Sequence, residues 1–412
     1  MTALKVLANL AAVTFFLLSY HHGIGFGPDR IDLDVYRIGG RAWLRGGSLY
    51  GGLPPTPAGP RLPFTYPPAA AVLLAPLALV PAVVAGTVLT LATVALVAAV
   101  LRLVLRRCAA AGAALLVSAG WLLPAALFLE PVRNTLDFGQ VNVILMALVA
   151  FDALSGGAFG PRGALTGLAA AVKLTPAAFV LFFLLRRDYR AALTAGLSFA
   201  AVTGLGFLAD GRDSVRYWTS TVFQAGRVGH PYYAGNQSLL AVLARAGLSP
   251  SGRLVAWLAL SLAVLVVAGL GMRRALAAGE PGLALGLNAL AALLISPISW
   301  SHHWVWCAPV ILTLASLGRR RRSVPAWLAA ACALAVFAAG PQWWFPHLDG
   351  RELRWAPWEQ VAGDAYVLLA VAILALAACG LLTPRAGTGA GGWVESSTYN
   401  RGSTADEAAG LT

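Results

Sequence analysis

Apolar runs long enough to cross a bilayer recur along almost the whole of this 412-residue chain, and they constrain the fold more than any single motif does. Only 11% of the residues are charged, against about 25% in soluble domains, so the chain is read as one polytopic membrane domain over 1–385. The expected class is all-α. About ten transmembrane helices are placed at 4–20, 83–105, 109–129, 139–156, 189–209, 253–272, 281–298, 303–318, 324–340 and 364–383. The first is read as a retained anchor, because no small-x-small cleavage site follows it. Residues 67–82 read as an amphipathic lead-in, and the Gly-, Ser- and Thr-rich 386–412 as a disordered cytoplasmic tail.

The stretch 163–186 does not fit one span. Lys173-Leu174-Thr175-Pro176 interrupts it, and proline both removes a donor and disfavours helix in the residue before it. Two half-helices that enter and return on one side are expected, a re-entrant pair lining a cavity. The basic residues then sort into 16 against six acids on one face and 13 against 11 on the other. Excess Lys and Arg marks the cytoplasm, so the chain sits as a multi-pass protein in the plasma membrane. The high pI reports topology; bases dispersed at helix ends form no nucleic-acid reading surface. Cys108, Cys307, Cys332 and Cys379 are too scattered for a disulfide framework or a metal site.

The polar motifs fall together on the extracytoplasmic side, where five loops close over one site. Asp32 and Asp34 point the same way in an extended segment and diverge in a helix; either is a candidate general base, and capping a helix through 35–44 is the other reading. His302 and His303, flanked by Trp300, Trp304 and Trp306, suit a sugar or phosphate, with a cap as the alternative and metal ligation lacking partners. Lys173 at membrane depth suits an anionic lipid head, or snorkels. Arg133 to Asn142 brings an Arg, amides and a helix start, fit for an anion or for plain capping. The segment from His230 to Ser238 offers aromatic faces and amides that bind sugars or other loops.

Taken together, Asp32 to Tyr36, Gly46 to Tyr50, Phe64 to Pro68, Gly139 to Asn142, Lys173 to Pro176, Asn236 to Ser238 and Ser296 to His303 resemble the actinobacterial polyprenol-phosphate-mannose-dependent mannosyltransferases of glycosyltransferase family 87. The resemblance runs in order from about 1 to 385. It implies a C-type glycosyltransferase fold with the active site facing outward. It implies inverting transfer, α-1,2 by analogy, from a polyprenyl-phosphate-mannose donor to a glycolipid or envelope-glycan acceptor. Asp32 would be the base, with Asp34 second. Lys173, Arg133, His302 and His303 would hold the donor phosphate without a metal or other cofactor. Tyr36, Tyr66, Gln140, Asn142, Tyr232, Asn236, Gln237 and Trp300 would line the substrates. A sugar transporter or flippase and an inactive scaffold are the competing readings; a transporter predicts paired repeats and midplane polar residues in several helices.

Overall fold

The computed structural model describes residues 30–108 and 122–383. The expected span at 4–20, most of that at 109–129, and the tail at 386–412 lie outside the described residues. Among these the fold is all-helical, with one isolated antiparallel bridge, between Asn236 and Trp300.

The chain is described from helix α1, Ile31–Leu44, which carries Asp32 and Asp34 in its first turn and Arg41 in its last. That order suits the helix dipole. The helix therefore starts four residues before the expected 35–44 stretch, and its two aspartates diverge. Two short Pro-initiated helices follow, α2 (Pro68–Leu74) and α3 (Pro76–Leu79), where the amphipathic lead-in was expected. Arg37 on α1 ties them down through the carbonyls of Leu77 and Val80.

Then come α4 (Ala82–Cys108), α5 (Glu130–Phe138), α6 (Asn142–Leu154), α7 (Ala164–Val172), α8 (Val180–Leu185), α9 (Tyr189–Ala209) and α10 (Gly211–Thr219). After them run α11 (Leu239–Arg245), α12 (Pro250–Ala277), α13 (Pro281–Ile295), α14 (Cys307–Arg321), α15 (Val324–Ala339), α16 (Pro357–Gly363) and α17 (Ala365–Ala378). Among the described residues, four helices are long and apolar enough to cross a membrane: 82–107, 189–209, 250–277 and 324–343. The pair α16 and α17 adds a fifth if its 66° bend is counted within one span.

The other apolar helices are short for a reason. At about 1.5 Å per residue, the 13 residues of α6 and the 15 of α13 fall short of a hydrocarbon core about 30 Å thick. Each is cut off by a motif, α6 at its start by Gly139 to Val141 and α13 at its end by Ser296 to Trp300. Both are largely enclosed by other helices, so their non-helical ends meet protein rather than lipid.

The break expected at Lys173 is present. Lys173 itself is extended (φ −148°, ψ 126°), and a 3-10 turn, Thr175–Phe179, leads into α8. Asn288 of α13 donates to the Ala178 carbonyl at 3.1 Å and so ties the turn after the break to α13. The incoming half, α7, is fixed at its start by Asp152, whose two oxygens accept from the amides of Gly163 and Thr166 at 2.7 and 2.8 Å.

Small residues then let α7 lie directly on α9. A Cβ at Gly163 would come within 1.9 Å of the Ala191 carbonyl, and one at Gly167 within 2.3 Å of the Ala195 carbonyl. This is close backbone approach of the small-xxx-small kind. Gly167→Val should overpack the contact, cost about 3 kcal/mol and lower the thermal midpoint in detergent. Gly196→Ala, on a face of α9 with nothing within 4 Å, should leave the midpoint within the error of the measurement.

Candidate functional site

A cavity of about 580 Å³ opens where α1, the loop around Tyr66, the Gln140 corner, the Lys173 break, α10 and α12, and the Ser296 to His303 segment converge. Its wall has two characters. One side is polar, with Asp32, Tyr66, Gln140, Lys173 and His303; the other is mostly apolar, with Leu174, Ala178, Trp257, Ala292, Ile295 and Ile298.

Asp32 reaches the cavity because α1 is a helix from Ile31 onward. Burial outweighs the nearby Lys173 ammonium and the Gln140 side chain, which favour the carboxylate, and leaves its carboxyl raised to about 6. Asp34, two residues on, is buried on another side of the helix and does not line the cavity.

Lys173 is held by two acceptors. Its ammonium donates to Asn142 Oδ1 at 3.0 Å and to His303 Nε2 at 3.1 Å, and lies 5.7 Å from the Tyr66 ring centre. His303 Nε2 therefore serves as an acceptor. The Asn142 amide group in turn donates to the His302 carbonyl at 2.7 Å, and Thr135 donates to the same carbonyl at 2.9 Å. One residue of α6 thus fixes both the cation and the histidine segment.

The Gln140 corner follows from α5. That helix ends at Gly139 in the left-handed region (φ +65°), and the Gln140 amide bonds back to the Thr135 carbonyl at 2.9 Å. A Cβ at Gly139 would also sit 2.8 Å from Leu33 Cβ, so glycine is needed for conformation and for the approach of α1 alike. Tyr36, fully buried, reaches Gln140 and Tyr66 from below.

Several expected site residues lie elsewhere. The His302 ring is buried edge-on against Phe138 and does not line the cavity; its carbonyl serves as the acceptor for Asn142 and Thr135. Arg133 and Tyr232 do not line the cavity; Tyr232 stacks on His230 with ring centres 5.0 Å apart. Asn236 and Gln237 are fully buried and build the rim: Asn236 Oδ1 accepts from the Ser299 amide at 2.9 Å, and the Gln237 amide group donates to the Gly363 carbonyl at 2.8 Å. They hold Trp300, which does line the cavity.

Sequence reasoning missed Tyr217, Trp257 and Arg245. The first two line the cavity from α10 and α12; the only sign of Tyr217 was an aromatic on a short amphipathic stretch. Arg245 is fully buried and donates to Asp364 (Nε to Oδ1, 2.9 Å) and to the carbonyls of Tyr233 and Asn236, both at 3.1 Å. It pins the rim to α17.

Among the described residues no three His, Cys, Asp or Glu side chains converge to hold a metal ion, and Cys307, Cys332 and Cys379 are free.

The family model "Glycosyltransferase family 87" matches residues 64–297, more than half the chain. A polyprenol-phosphate-mannose-dependent alpha-(1-2)-phosphatidylinositol mannoside mannosyltransferase of Mycobacterium tuberculosis is 43% identical over 366 residues, 86% of this chain and 85% of the relative. The chain belongs to glycosyltransferase family 87. A relative of the same name in Mycolicibacterium smegmatis is 41% identical over 85% of this chain and 84% of its own. A pentamannoside mannosyltransferase of Mycobacterium tuberculosis is 34% identical over 72% of this chain and 68% of its own. No solved structure matches. Membership makes this family 87 chain a membrane glycosyltransferase and sets aside the transporter and scaffold readings. The matched stretch holds Tyr66, Gln140, Asn142 and Lys173; Asp32 and His303 lie outside it on either side.

The Arg245 to Asp364 pair gives a direct test of the rim. Asp364→Ala leaves the guanidinium buried without its counter-ion and should cost about 3–5 kcal/mol, read as a lowered thermal midpoint. Replacing both partners by Met and Leu should cost markedly less.

Proposed function

We propose that this family 87 chain transfers mannose from a polyprenyl-phosphate-mannose donor to a phosphatidylinositol-mannoside-type lipid, forming an α-1,2 linkage on the extracytoplasmic face of the plasma membrane. The donor and acceptor classes are those named for the relatives at 43% and 41% identity. The observation that carries the reading is one cavity in which a single carboxylate, Asp32, shares the wall with an ammonium and an imidazole, Lys173 and His303, beside an apolar surface.

The chemistry follows from those groups. The acceptor hydroxyl attacks the anomeric carbon from the face opposite the phosphate, and its proton passes to Asp32. The bond from the anomeric carbon to the phosphate oxygen breaks, and polyprenyl phosphate leaves with the electron pair. A β-linked donor then gives an α product by inversion. The phosphate gains one negative charge in this step. Lys173 has a third N–H beyond the two given to Asn142 and His303, and that donor is free to meet the growing charge. A monophosphate leaving group asks for less neutralisation than a diphosphate, so the protein's own cation takes the role without a metal. Leu174, Ala178, Trp257 and Ile295 suit the first isoprene units.

The sidedness rests on charge and helix direction. α4, α12 and α14 each carry an Arg cluster at the C-terminal end (Arg106 and Arg107, Arg273 and Arg274, Arg319 to Arg321). The cavity is lined from the opposite ends of α12 and from the residues that lead into α14. With the Arg ends cytoplasmic, the cavity faces outward. In this reading the C-type fold has about ten spans, and the Lys173 break is re-entrant.

The test is transfer of radiolabelled mannose from polyprenyl-phosphate-mannose in proteoliposomes. Asp32→Asn should lower the rate by about 10²–10⁴-fold with folding retained, and Asp34→Asn by far less. Transfer should rise with pH through about 6, since protonated Asp32 cannot accept the acceptor's proton, and should fall about tenfold one pH unit below that midpoint. Undiminished transfer by Asp32→Asn would remove the base assignment, and label arriving only from a nucleotide sugar would remove the donor.

A further inference from the structure

Gln140 stands at the edge of the cavity with its amide oxygen unusually committed. Tyr36 donates to Gln140 Oε1, Tyr66 donates to the same atom at 3.2 Å, and the Val141 backbone amide donates to it at 3.0 Å. The two phenols also contact each other, with oxygens 3.1 Å apart. Tyr36 and Gln140 are almost wholly buried, so these bonds are not exchanged with bulk water.

The backbone N–H decides which way the amide points. It can only donate, so the side-chain atom facing it must be the oxygen. The amide nitrogen of Gln140 is then turned outward, to the cavity wall that it shares with the Asp32 carboxylate. A glutamine with one hydrogen-bonding end locked by three donors has no freedom to present its oxygen to Asp32. It can only donate to it.

We propose that Gln140 is a positioning residue for the catalytic base: Tyr36, Tyr66 and the Val141 amide lock its orientation, so that its N–H holds one oxygen of Asp32 and leaves the other to take the acceptor's proton. This reassigns three residues expected to touch the sugar. Tyr36 and Gln140 act through Asp32, and Tyr66 does so in addition to lining the cavity. The donated bond keeps the half-buried carboxylate ionised where desolvation favours the acid, and it stops the carboxylate from turning toward Lys173. The Gly139 left-handed corner exists on this reading to set the Gln140 side chain at that angle.

The inference rests on Asp32 being the base, and one experiment separates the two. Steady-state mannosyl transfer in proteoliposomes is followed across the acid limb of the pH profile for the unmodified chain, Gln140→Met, Gln140→Glu, Tyr66→Phe and Asp32→Asn. Gln140→Met removes the donor: kcat should fall about 10–100-fold, KM for the donor should stay within about twofold, and the acid limb should move up by about one pH unit. Gln140→Glu keeps the volume and the tyrosine acceptor but sets a second carboxyl against Asp32. It should move the limb further in the same direction, and it carries the test if the Met variant does not fold. Tyr66→Phe should lower kcat less than either.

A raised KM with an unmoved acid limb would make Gln140 an ordinary sugar contact and overturn the proposal. Unchanged kinetics would overturn it as well. If Asp32→Asn keeps its transfer, the base assignment falls and takes this inference with it. If Asp32→Asn is inactive while the Gln140 variants keep the native pH profile, only the inference falls.

Discussion

The site is organised around one cation that the chain has to keep out of lipid. Lys173 sits where a helix is broken, in a stretch made mostly of Ala, Leu, Val and Phe. An ammonium there is costly unless its donors are taken up and its neighbours are protein. Asn142 and His303 take two of the donors, and the Tyr66 ring faces it. Each of those partners requires something of its own helix. Asn142 must begin α6, which shortens it. His303 must lie in a 3-10 segment, which ends α13 early and delays α14. The cation's partners therefore come from the start of a short helix, a 3-10 segment and a loop, and the helices around them provide the shelter.

The same requirement explains the close packing behind the break. The incoming half-helix has only nine residues. Asp152 caps it from one side, and Gly163 and Gly167 let the backbone of α9 lie directly against it. Asn288 answers a carbonyl on the outgoing half. The elements that hold the two halves of the broken helix, Asp152, Gly163 with Gly167, and Asn288, engage three different neighbours, α6, α9 and α13.

Much of this was legible in the sequence, and the reason lies in which signals are local. Lys173-Leu174-Thr175-Pro176 announces a break because a proline acts on its own neighbours. The long apolar stretches of α4, α9, α12 and α15 declare themselves by composition, and the Arg clusters by their place at helix ends. Asp32 was singled out as an acid in a polar loop, but its separation from Asp34 depended on whether the backbone there was helical or extended, and the first turn of α1 settles that. What stayed hidden were the side-chain directions of residues in irregular loops. His302 and His303 are neighbours in sequence with opposite duties, one offering a carbonyl and the other an imidazole. Asn236 and Gln237 have the composition of a sugar site, yet both are spent on backbone groups of the rim. Arg245 gave no sign at all, since an Arg at the end of a helix is ordinary until a buried Asp364 is found 119 residues away.

The division between rim and floor follows from that difference. The rim, built from the 230s, the 340s to 360s and Trp300, is held by buried polar pairs such as Arg245 with Asp364 and by Glu130, which accepts from Trp343, Tyr366 and Asn134. Such pairs, once desolvated, tolerate little displacement, because moving one partner strands the other. The floor carries the groups argued to do chemistry, on short helix ends and turns whose geometry the rim constrains. The pairs that hold the rim are separate from Asp32, Lys173 and His303, so the rim can change while those three keep one geometry. An enzyme of this kind can alter what it glycosylates by rebuilding loops above the cavity, whereas a change at Asn142 or Lys173 would touch every acceptor alike.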